Sequence, residues 1–205
     1  MTGAIISPEM PQSKRDYYTR RAREEGYPSR AAYKLLQIQD KYHIISPRDV
    51  VIDLGAAPGG WSQVAAGIVG RGGRVISADI EPVKAETQWV QGDVTREETL
   101  AGIKKALGKG KADVVLSDLS PSTTGSSVDH ARSVYLAQHA LCIARETLRS
   151  RGNYVVKVFQ GELYNEYFGE VKRSFVFCKG FRPGATKSRS AEIYVVAKSF
   201  RETPS

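Results

Sequence analysis

The stretch VIDLGAAPGGWSQVAA, residues 51–66, is the part of the chain that decides the fold. It begins as a short apolar strand that runs through Asp53, continues in a turn of Gly, Ala and Pro, and ends in a helix-like segment opened by Trp61. Glycine lets the backbone approach a ligand closely, and the N-terminus of the following helix favours negative charge. The stretch therefore predicts a strand–turn–helix unit that carries a ligand on its turn.

Strands and helices alternate on both sides of this unit. Basic helices are predicted over 14–27 and 29–44, strands over 49–55, 73–80, 87–94, 112–120 and 152–161, and helices over 60–70, 96–108, 129–149 and 162–174, before two consecutive strands at 175–183 and 191–200. This order predicts an α/β, Rossmann-like fold: a doubly wound, seven-stranded, mostly parallel sheet with one antiparallel edge strand. We expect one domain over 14–201, including a basic helical arm at 14–48, between flexible tails at 1–13 and 202–205. Trp89 and Cys142 are assigned to the core.

The composition is that of an ordinary globular protein, with 41% hydrophobic and 25% charged residues in 205. Two cysteines without a CxxC pattern suggest neither a disulfide framework nor a zinc site. No signal peptide is evident and no apolar run is long enough to span a membrane. We therefore expect a cytoplasmic monomer that binds no metal and no membrane.

The net charge of +8 is unevenly distributed along the chain. Residues 14–48 carry a net charge of +5, residues 171–201 carry +7, and the segment between them carries −2. If the two ends meet in the fold, they form one basic face suited to a phosphate backbone. In the arm, Tyr17, Tyr18 and Tyr27 alternate with arginines, which fits either stacking on unpaired bases or packing of the arm onto the domain.

The ligand on the turn is expected to contain a nucleoside. The glycines at 55, 59 and 60 do not fit the dinucleotide pattern GxGxxG, and no GK[ST] of a phosphate-binding loop follows. S-adenosylmethionine fits better, because Asp79 and Asp93 lie at the ends of the next two predicted strands, where acids can bind the ribose hydroxyls and the adenine end. A helix cap for Asp79 and a turn role for Asp93 are the alternatives.

Polar residues also mark the later strands of the predicted sheet. Asp118 lies at the tip of the fourth strand, and Lys157 interrupts the apolar run YVVKVF. Burying an ammonium group without a partner is costly, so Lys157 is either a side chain whose head reaches water or a functional lysine that is made less basic. Lys34 and Glu192 are further candidates, although spacing alone does not bring the four residues together.

In combination, the motifs SRAAYKL, DLGAAPGGWSQ, SDLSP, GNYVVKVFQG and SRSAEIYVVA resemble the FtsJ/RrmJ family of RNA ribose 2′-O-methyltransferases. The resemblance covers roughly residues 14–200. It implies S-adenosylmethionine as the cofactor and a nucleotide of large-subunit (23S-type) ribosomal RNA, expected to be a uridine, as the substrate. Transfer RNA or another RNA is the alternative substrate.

The resemblance also implies roles for individual residues. The catalytic tetrad would be Lys34, Asp118, Lys157 and Glu192, and the cofactor would be bound by Gly55, Gly59, Trp61, Asp79, Asp93 and Asp118. Contacts with RNA are expected from the basic residues of the two ends, namely Arg15, Arg20, Arg21, Arg23, Arg30, Lys187 and Arg189. One competing interpretation is a small-molecule or protein methyltransferase, which needs neither a basic arm nor the pair Lys34 and Lys157. Another is an RNA-binding module without catalysis, which would tolerate the loss of Lys157 and would not bind the cofactor.

Overall fold

The computed structural model describes residues 14–122, 128–186 and 190–202, with side chains from residue 17 onward. Two helices, α1 (Lys14–Glu24) and α2 (Ala32–Tyr42), precede the sheet. The remaining elements are β1 (Val50–Leu54), α3 (Gly60–Val69), β2 (Arg74–Asp79), β3 (Gln88–Gln91), α4 (Glu97–Leu107), β4 (Ala112–Ser117), α5 (Val128–Thr147), β5 (Leu148–Phe159), α6 (Tyr164–Ser174), β6 (Phe175–Phe181) and β7 (Glu192–Phe200). The predicted element order is confirmed.

The seven strands form one sheet in the order β3-β2-β1-β4-β5-β7-β6. Strands β1 to β5 are parallel, whereas β7 is antiparallel to both β5 and β6. The predicted fold class is thus confirmed, with antiparallel pairing confined to one side of the sheet. The reversed strand β7 lies between β5 and β6, so β6 is the outermost strand.

The sheet has a hydrophobic layer on each face. Alternate residues of β1 illustrate this arrangement: Ile52 and Leu54 pack with α4, α5 and α6, whereas Val51 packs with α2 and α3. Burial on both faces explains why the central strands read as continuous apolar runs in the sequence.

All five parallel strands end at the same side of the sheet, here named the carboxyl edge, and β7 begins there. The turn after β1, Asp79, Asp118, Lys157 and Glu192 are therefore brought to one side, although they are far apart in sequence. Among the described residues, no helix combines the length and apolar character needed to cross a bilayer.

Two residues assigned to the core lie at the surface. Trp89 is 39% exposed because β3 is the short outermost strand on its side. Cys142 is exposed between Leu141 and Ile143, which are both buried. Successive helical residues point about 100° apart, so α5 cannot bury all three. The strand predicted over 87–94 is also shorter, and Asp93 lies two residues beyond the end of β3.

Candidate active site

The glycine turn between β1 and α3 has no room for side chains at its two ends. Gly55 has φ 73°, and a Cβ there would lie 2.9 Å from a side-chain carbon of Leu119. Gly59 has φ 117°, and a Cβ there would lie 3.2 Å from the backbone nitrogen of Ala85. Both conformations are costly for residues other than glycine. The turn is therefore a tight backbone cradle at the start of helix α3, as the sequence predicts.

Asp79 at the end of β2 is built into this cradle. One carboxylate oxygen accepts a hydrogen bond of 2.9 Å from the backbone N–H of Ala57, and the other accepts one of 2.9 Å from Glu81. A carboxylate offers about four acceptor positions, so capacity remains for ribose hydroxyls. The structure places Asp79 beside the turn, where it also supports the turn's backbone.

Asp93 occupies the neighbouring loop after β3. Its carboxylate accepts hydrogen bonds from the backbone N–H and the hydroxyl of Thr95, at 2.9 and 2.8 Å. These bonds hold the pKa of Asp93 below its usual value, so the carboxylate is ionised near neutral pH. The turn contacts expected from the sequence are present and leave acceptor capacity for a ligand.

Lys157 and Asp118 form the centre of the site. The ammonium Nζ lies 3.1 Å from Asp118 Oδ1 and donates a 2.7 Å hydrogen bond to the Asp118 backbone carbonyl. Only 4% of the Lys157 side chain is exposed. The buried ammonium group thus has two partners, and these contacts offset the free-energy cost of burying its charge. This explains how a lysine is tolerated in an otherwise apolar strand.

Tyr194 joins this pair to the rest of the site. Its hydroxyl donates a 2.7 Å hydrogen bond to Asp118 Oδ1, and burial, followed by the Asp118 carboxylate, raises the pKa of Tyr194 well above its usual value. Burial would by itself raise the pKa of Asp118, but the ammonium groups of Lys157 and Lys34 and the Tyr194 hydrogen bond outweigh it. The net pKa of Asp118 is lowered. Asp118 is therefore a carboxylate held ionised by its surroundings.

Lys34 and Glu192 form a second, partly buried pair next to the first. Lys34 Nζ lies 3.0 Å from Glu192 Oε2 and 5.5 Å from the centroid of the Tyr194 ring. The structure therefore brings together all four predicted catalytic residues, as two ion pairs on either side of Tyr194. Geometry of this kind can orient a hydroxyl and stabilise negative charge that develops on it.

Trp61 stands behind the cluster at the start of α3. Its ring centroid lies 5.6 Å from that of Tyr194, and its indole N–H donates a 2.8 Å hydrogen bond to the carbonyl of Ala31. With 3% of its surface exposed, the indole acts in this structure as a packing support that joins the arm, α3 and Tyr194.

Two residues of the site, Tyr194 and Asp53, are not among those predicted from the sequence. Tyr194 lies in an apolar strand, where a tyrosine is an ordinary core residue, and only the packing shows its hydroxyl aimed at Asp118. Asp53 is completely buried beneath the glycine turn and accepts a 2.6 Å hydrogen bond from Ser62 Oγ, while its Oδ1 has no partner. Burial raises the pKa of Asp53 to about 7. An acid inside the apolar run VVIDL is the signal that could have identified it.

The sequence profile of the FtsJ-like methyltransferase family matches residues 27–200, which span every element from α2 to β7. The chain belongs to the FtsJ-like methyltransferase family. The resemblance drawn from the motifs is thus confirmed, and with it the expectation that this protein is a methyltransferase.

Curated FtsJ-like relatives cover almost the whole chain. A protein of Methanosarcina mazei is 47% identical over 199 residues, which are 95% of this chain and 73% of the relative. One of Archaeoglobus fulgidus is 46% identical over 194 residues, 93% of this chain and 99% of the relative. Both are named ribosomal RNA large subunit methyltransferase E.

A solved structure shows the same FtsJ-like architecture. A Plasmodium falciparum protein, described as a ribosomal RNA methyltransferase, aligns with a TM-score of 0.75 at 27% identity, over 85% of this chain and 98% of its own. Among the described residues of our chain, no group of three or more His, Cys, Asp or Glu is arranged to hold a metal ion.

The predicted RNA-binding residues are distributed around the arm. On α1, Arg20 lies 3.6 Å from Glu24, and Arg21 pairs with Glu25 at 2.6 Å. Arg23 is exposed, and Arg30 donates to the carbonyl of Ala185 at 3.2 Å. The Arg15 side chain, Lys187 and Arg189 lie outside the described residues.

The arm contacts the basic C-terminal segment at Ala185, whose backbone N–H donates a 3.2 Å hydrogen bond to Gln37 and whose carbonyl accepts one from Arg30. Tyr18 and Tyr27 contact Tyr33 at centroid distances of 5.3 and 5.9 Å, and Tyr18 accepts a hydrogen bond from Gln37. These contacts favour the packing interpretation for the two tyrosines, whereas Tyr17 is 41% exposed. Of the two interpretations of the arm, base stacking is thus left mainly to Tyr17.

Proposed function

We propose that this protein transfers a methyl group from S-adenosylmethionine to the ribose 2′-hydroxyl of a nucleotide, expected to be a uridine, in large-subunit ribosomal RNA. The observation that carries the proposal is the buried cluster in which Lys157 and Tyr194 converge on Asp118, with Lys34 and Glu192 alongside. The names of the relatives support ribosomal RNA as the substrate class, and a cytoplasmic location remains a prediction.

The residues around the turn fit this cofactor. The turn leads directly into the N-terminus of α3, where backbone N–H groups can face a ligand, and Asp79 retains acceptor capacity beside it. The unpartnered Oδ1 of Asp53 lies under the same turn and suits a donor such as an ammonium group or a water. When bound, S-adenosylmethionine supplies a methyl group on a positively charged sulfur, which needs little further activation.

Lys157 is proposed to hold and steer the attacking hydroxyl. An ammonium group has three hydrogens, and the contacts with Asp118 O and Oδ1 account for two of them. The third can point to the ribose oxygen and stabilise the negative charge that develops there. This arrangement favours steering by a charged lysine: the oxygen–methyl bond forms as the sulfur–methyl bond breaks, and the hydroxyl proton passes to the Glu192 carboxylate or to water. Proton abstraction by a neutral Lys157 is the alternative.

The second ion pair is proposed to complete the ribose site. Lys34 is 7% exposed and Glu192 is 20% exposed, so the carboxylate is the partner that a substrate can reach. Glu192 can accept a hydrogen bond from a ribose hydroxyl, while Lys34 holds that carboxylate and faces the Tyr194 ring. Both lysines then act mainly by alignment, which is a large part of what an in-line methyl transfer requires.

The flanking basic residues are proposed to hold the RNA backbone. Arg20 and Arg23 project from the exposed face of α1, and Arg30 lies at the base of the arm. Arg15, Arg21, Lys187 and Arg189 are included in this proposal on the grounds of charge. Transfer RNA or another RNA is the alternative substrate, because the same site would methylate any ribose that reaches it.

Radiolabelled methyl transfer tests the proposal. Purified protein would be incubated with labelled S-adenosylmethionine and a large-subunit ribosomal RNA transcript, intact large ribosomal subunits or total transfer RNA, and the labelled nucleotide would be mapped. We expect label on the 2′-oxygen of one nucleotide of ribosomal RNA. A matched RNA with 2′-deoxyribose at that nucleotide should accept none. Label on a base, or in the deoxy control, would contradict ribose methylation, and label in transfer RNA alone would select the alternative substrate.

A further inference from the structure

The edge of the sheet opposite the active site carries a second concentration of positive charge. Four segments meet there, each leading into a strand: 46–50, 70–74, 104–113 and 145–152. Together they hold three acids and ten bases, namely Arg48, Arg71, Arg74, Lys104, Lys105, Lys109, Lys111, Arg145, Arg149 and Arg151. All ten bases are exposed. We name this surface the amino edge.

Direct contacts show that the four segments form one surface. Arg149 Nε lies 2.5 Å from Asp113 Oδ1, and the other Asp113 oxygen accepts a 2.7 Å hydrogen bond from the backbone of Val50. Arg74 donates to the carbonyls of Ala106 and Leu107 at 3.0 and 2.8 Å. The charges are therefore adjacent in space, although the segments span about 100 residues of sequence.

The folded chain separates charge that its sequence mixes. In the segment 49–170, whose net charge is −2, nine of the thirteen bases lie on the amino edge, together with only three of the fifteen acids. The positive potential continues past this surface. Arg145 donates a hydrogen bond to Ser174. Close to Ser174, the bases Lys172, Arg173 and Arg201 are exposed. Such a field attracts a polyanion.

Half of these bases have no partner of their own within the described residues. Arg74, Lys104, Lys111, Arg145 and Arg149 are engaged in hydrogen bonds or ion pairs. Arg48, Arg71, Lys105, Lys109 and Arg151 make no ion pair or side-chain hydrogen bond in the described part of the chain. A cleft of about 300 Å³ lies between Lys104, Lys109, Lys111 and Glu146, large enough for a phosphate group.

Two of the unpartnered arginines occupy left-handed backbone positions. Arg48 has φ 71° and Arg151 has φ 63°. Glycine adopts such conformations without strain, and arginine does not. Arginine at both positions is thus unfavourable for the backbone, while it adds two free guanidinium groups to the same surface. His43 and Ser199 share this backbone conformation, so it is the two free guanidinium groups that suit these positions to binding a polyanion.

We propose that the amino edge is a second RNA-binding surface, which contacts phosphates of the substrate distant from the methylated nucleotide. This inference rests on the proposed function. The five residues of β1 separate the two edges by about 17 Å at 3.3 Å per residue. A short strand seated in the active site does not reach round the domain, so the surface selects a large folded RNA whose segments lie on both sides of the protein.

The test removes charge without adding strain. The double variant Arg48→Gly/Arg151→Gly deletes two guanidinium groups at positions that glycine prefers, and Lys105→Gln/Lys109→Gln deletes two ammonium groups. The charge-retaining controls are Arg48→Lys/Arg151→Lys and Lys105→Arg/Lys109→Arg. Filter binding to a full-length large-subunit ribosomal RNA transcript would be measured over a range of KCl concentrations, with thermal melting of each variant.

We expect both neutral variants to bind the full-length RNA about 10-fold more weakly, with a salt slope reduced by about 0.9 for each duplex phosphate that the protein no longer neutralises. The glycine variant should melt no lower than the wild type. Both controls should bind as the wild type does. Unchanged affinity and salt slope in the two neutral variants would overturn the inference.

Methyl transfer separates this inference from the proposed function. On a short RNA that contains only the mapped target site, the neutral variants should react at the wild-type rate, because that RNA does not reach the amino edge. Absence of methyl transfer to any RNA by the wild type would count against the proposed function. A wild type that is active, with neutral variants that bind full-length RNA normally, would remove the second surface alone.

Discussion

Tyr194 donates a 2.7 Å hydrogen bond to Asp118 across 76 residues of sequence, and this bond unites the two ion pairs of the site. The same carboxylate oxygen lies 3.1 Å from Lys157 Nζ. Asp118 is thereby held in one orientation by a tyrosine from β7 and a lysine from β5.

Replacing Tyr194 by Phe should remove one of the contacts that lower the pKa of Asp118 while keeping the ring against Trp61. The pKa of Asp118 then rises, and activity that needs the carboxylate should fall off at a higher pH on the acid side. We expect the turnover rate near neutral pH to drop at least about 10-fold, because a hydrogen bond to a charged group contributes about 1.5–3 kcal/mol. Rates measured against pH, with calorimetric affinity for S-adenosylmethionine as a reference, check both points. If activity falls at the same acid pH in the variant and the wild type, Tyr194 contributes only its ring to packing and does not affect the ionisation of Asp118.

Replacing Lys157 by Ala should lower the rate of methyl transfer by about 10²- to 10³-fold, the usual effect of losing one donor that stabilises developing charge. The lysine lies between the Asp118 carboxylate and the expected position of the hydroxyl, so cofactor binding should change little. Lys198→Ala is the matched control, because this lysine of β7 contacts the carbonyl of Tyr42, away from the site. Normal turnover in the Lys157 variant would remove it from the catalytic residues.

Asp79→Ala should weaken the binding of S-adenosylmethionine first. It removes a charged acceptor and the support of the Ala57 and Glu81 amides, so we expect a rise in Kd of at least about 10-fold. Titration calorimetry measures this, and circular dichroism checks that the fold persists. Glu97→Ala, an exposed acid of α4, is the charge-matched control. Equal affinity in the wild type and the Asp79 variant would exclude Asp79 from the cofactor site.

Asp53→Asn should change the dependence of stability on pH. The pKa of Asp53 is about 7 in the folded protein and near 3.9 when unfolded. A raised folded pKa contributes stability that is complete below the unfolded value and is lost as the pH rises through the folded value. The wild type should thus lose up to about 4 kcal/mol from this group between pH 4 and 7, and the variant should not. Urea titrations at pH 4 and pH 8 test this; parallel losses in both proteins would assign the pH dependence to other groups.

Arg20→Gln/Arg23→Gln on α1 should weaken RNA binding and flatten its salt dependence. Each phosphate that is no longer neutralised lowers the salt slope by about 0.7 for single-stranded RNA. Arg20→Lys/Arg23→Lys keeps the charge and should retain both quantities. Filter binding at several salt concentrations measures the slope. An identical slope for the neutral and the charge-retaining variants would show that these arginines are exposed polar residues that do not contact RNA.

The sequence by itself determined the order of elements, the position of the glycine turn and the family. Strands buried on both faces appear in the sequence as continuous apolar runs. A turn with backbone angles that only glycine adopts easily appears as a cluster of glycines. What the sequence did not determine has physical reasons as well. The exposure of Trp89 depends on β3 being an outermost strand, and the exposure of Cys142 depends on which face of α5 packs against the sheet. Lys157 was conspicuous because an ammonium group in an apolar strand requires a partner.

Only the tertiary structure decided which partners those are. The packing of β5 against β7 and of the arm against α3 brings the Tyr194 hydroxyl into hydrogen-bond distance of Asp118 and pairs Lys34 with Glu192. No spacing in the sequence encodes these distances. The same packing sorts the mixed charges of the central segment into an amino edge rich in bases and a remainder rich in acids. Charge adds along a sequence without regard to position, whereas an electrostatic field depends on where the folded chain places each group.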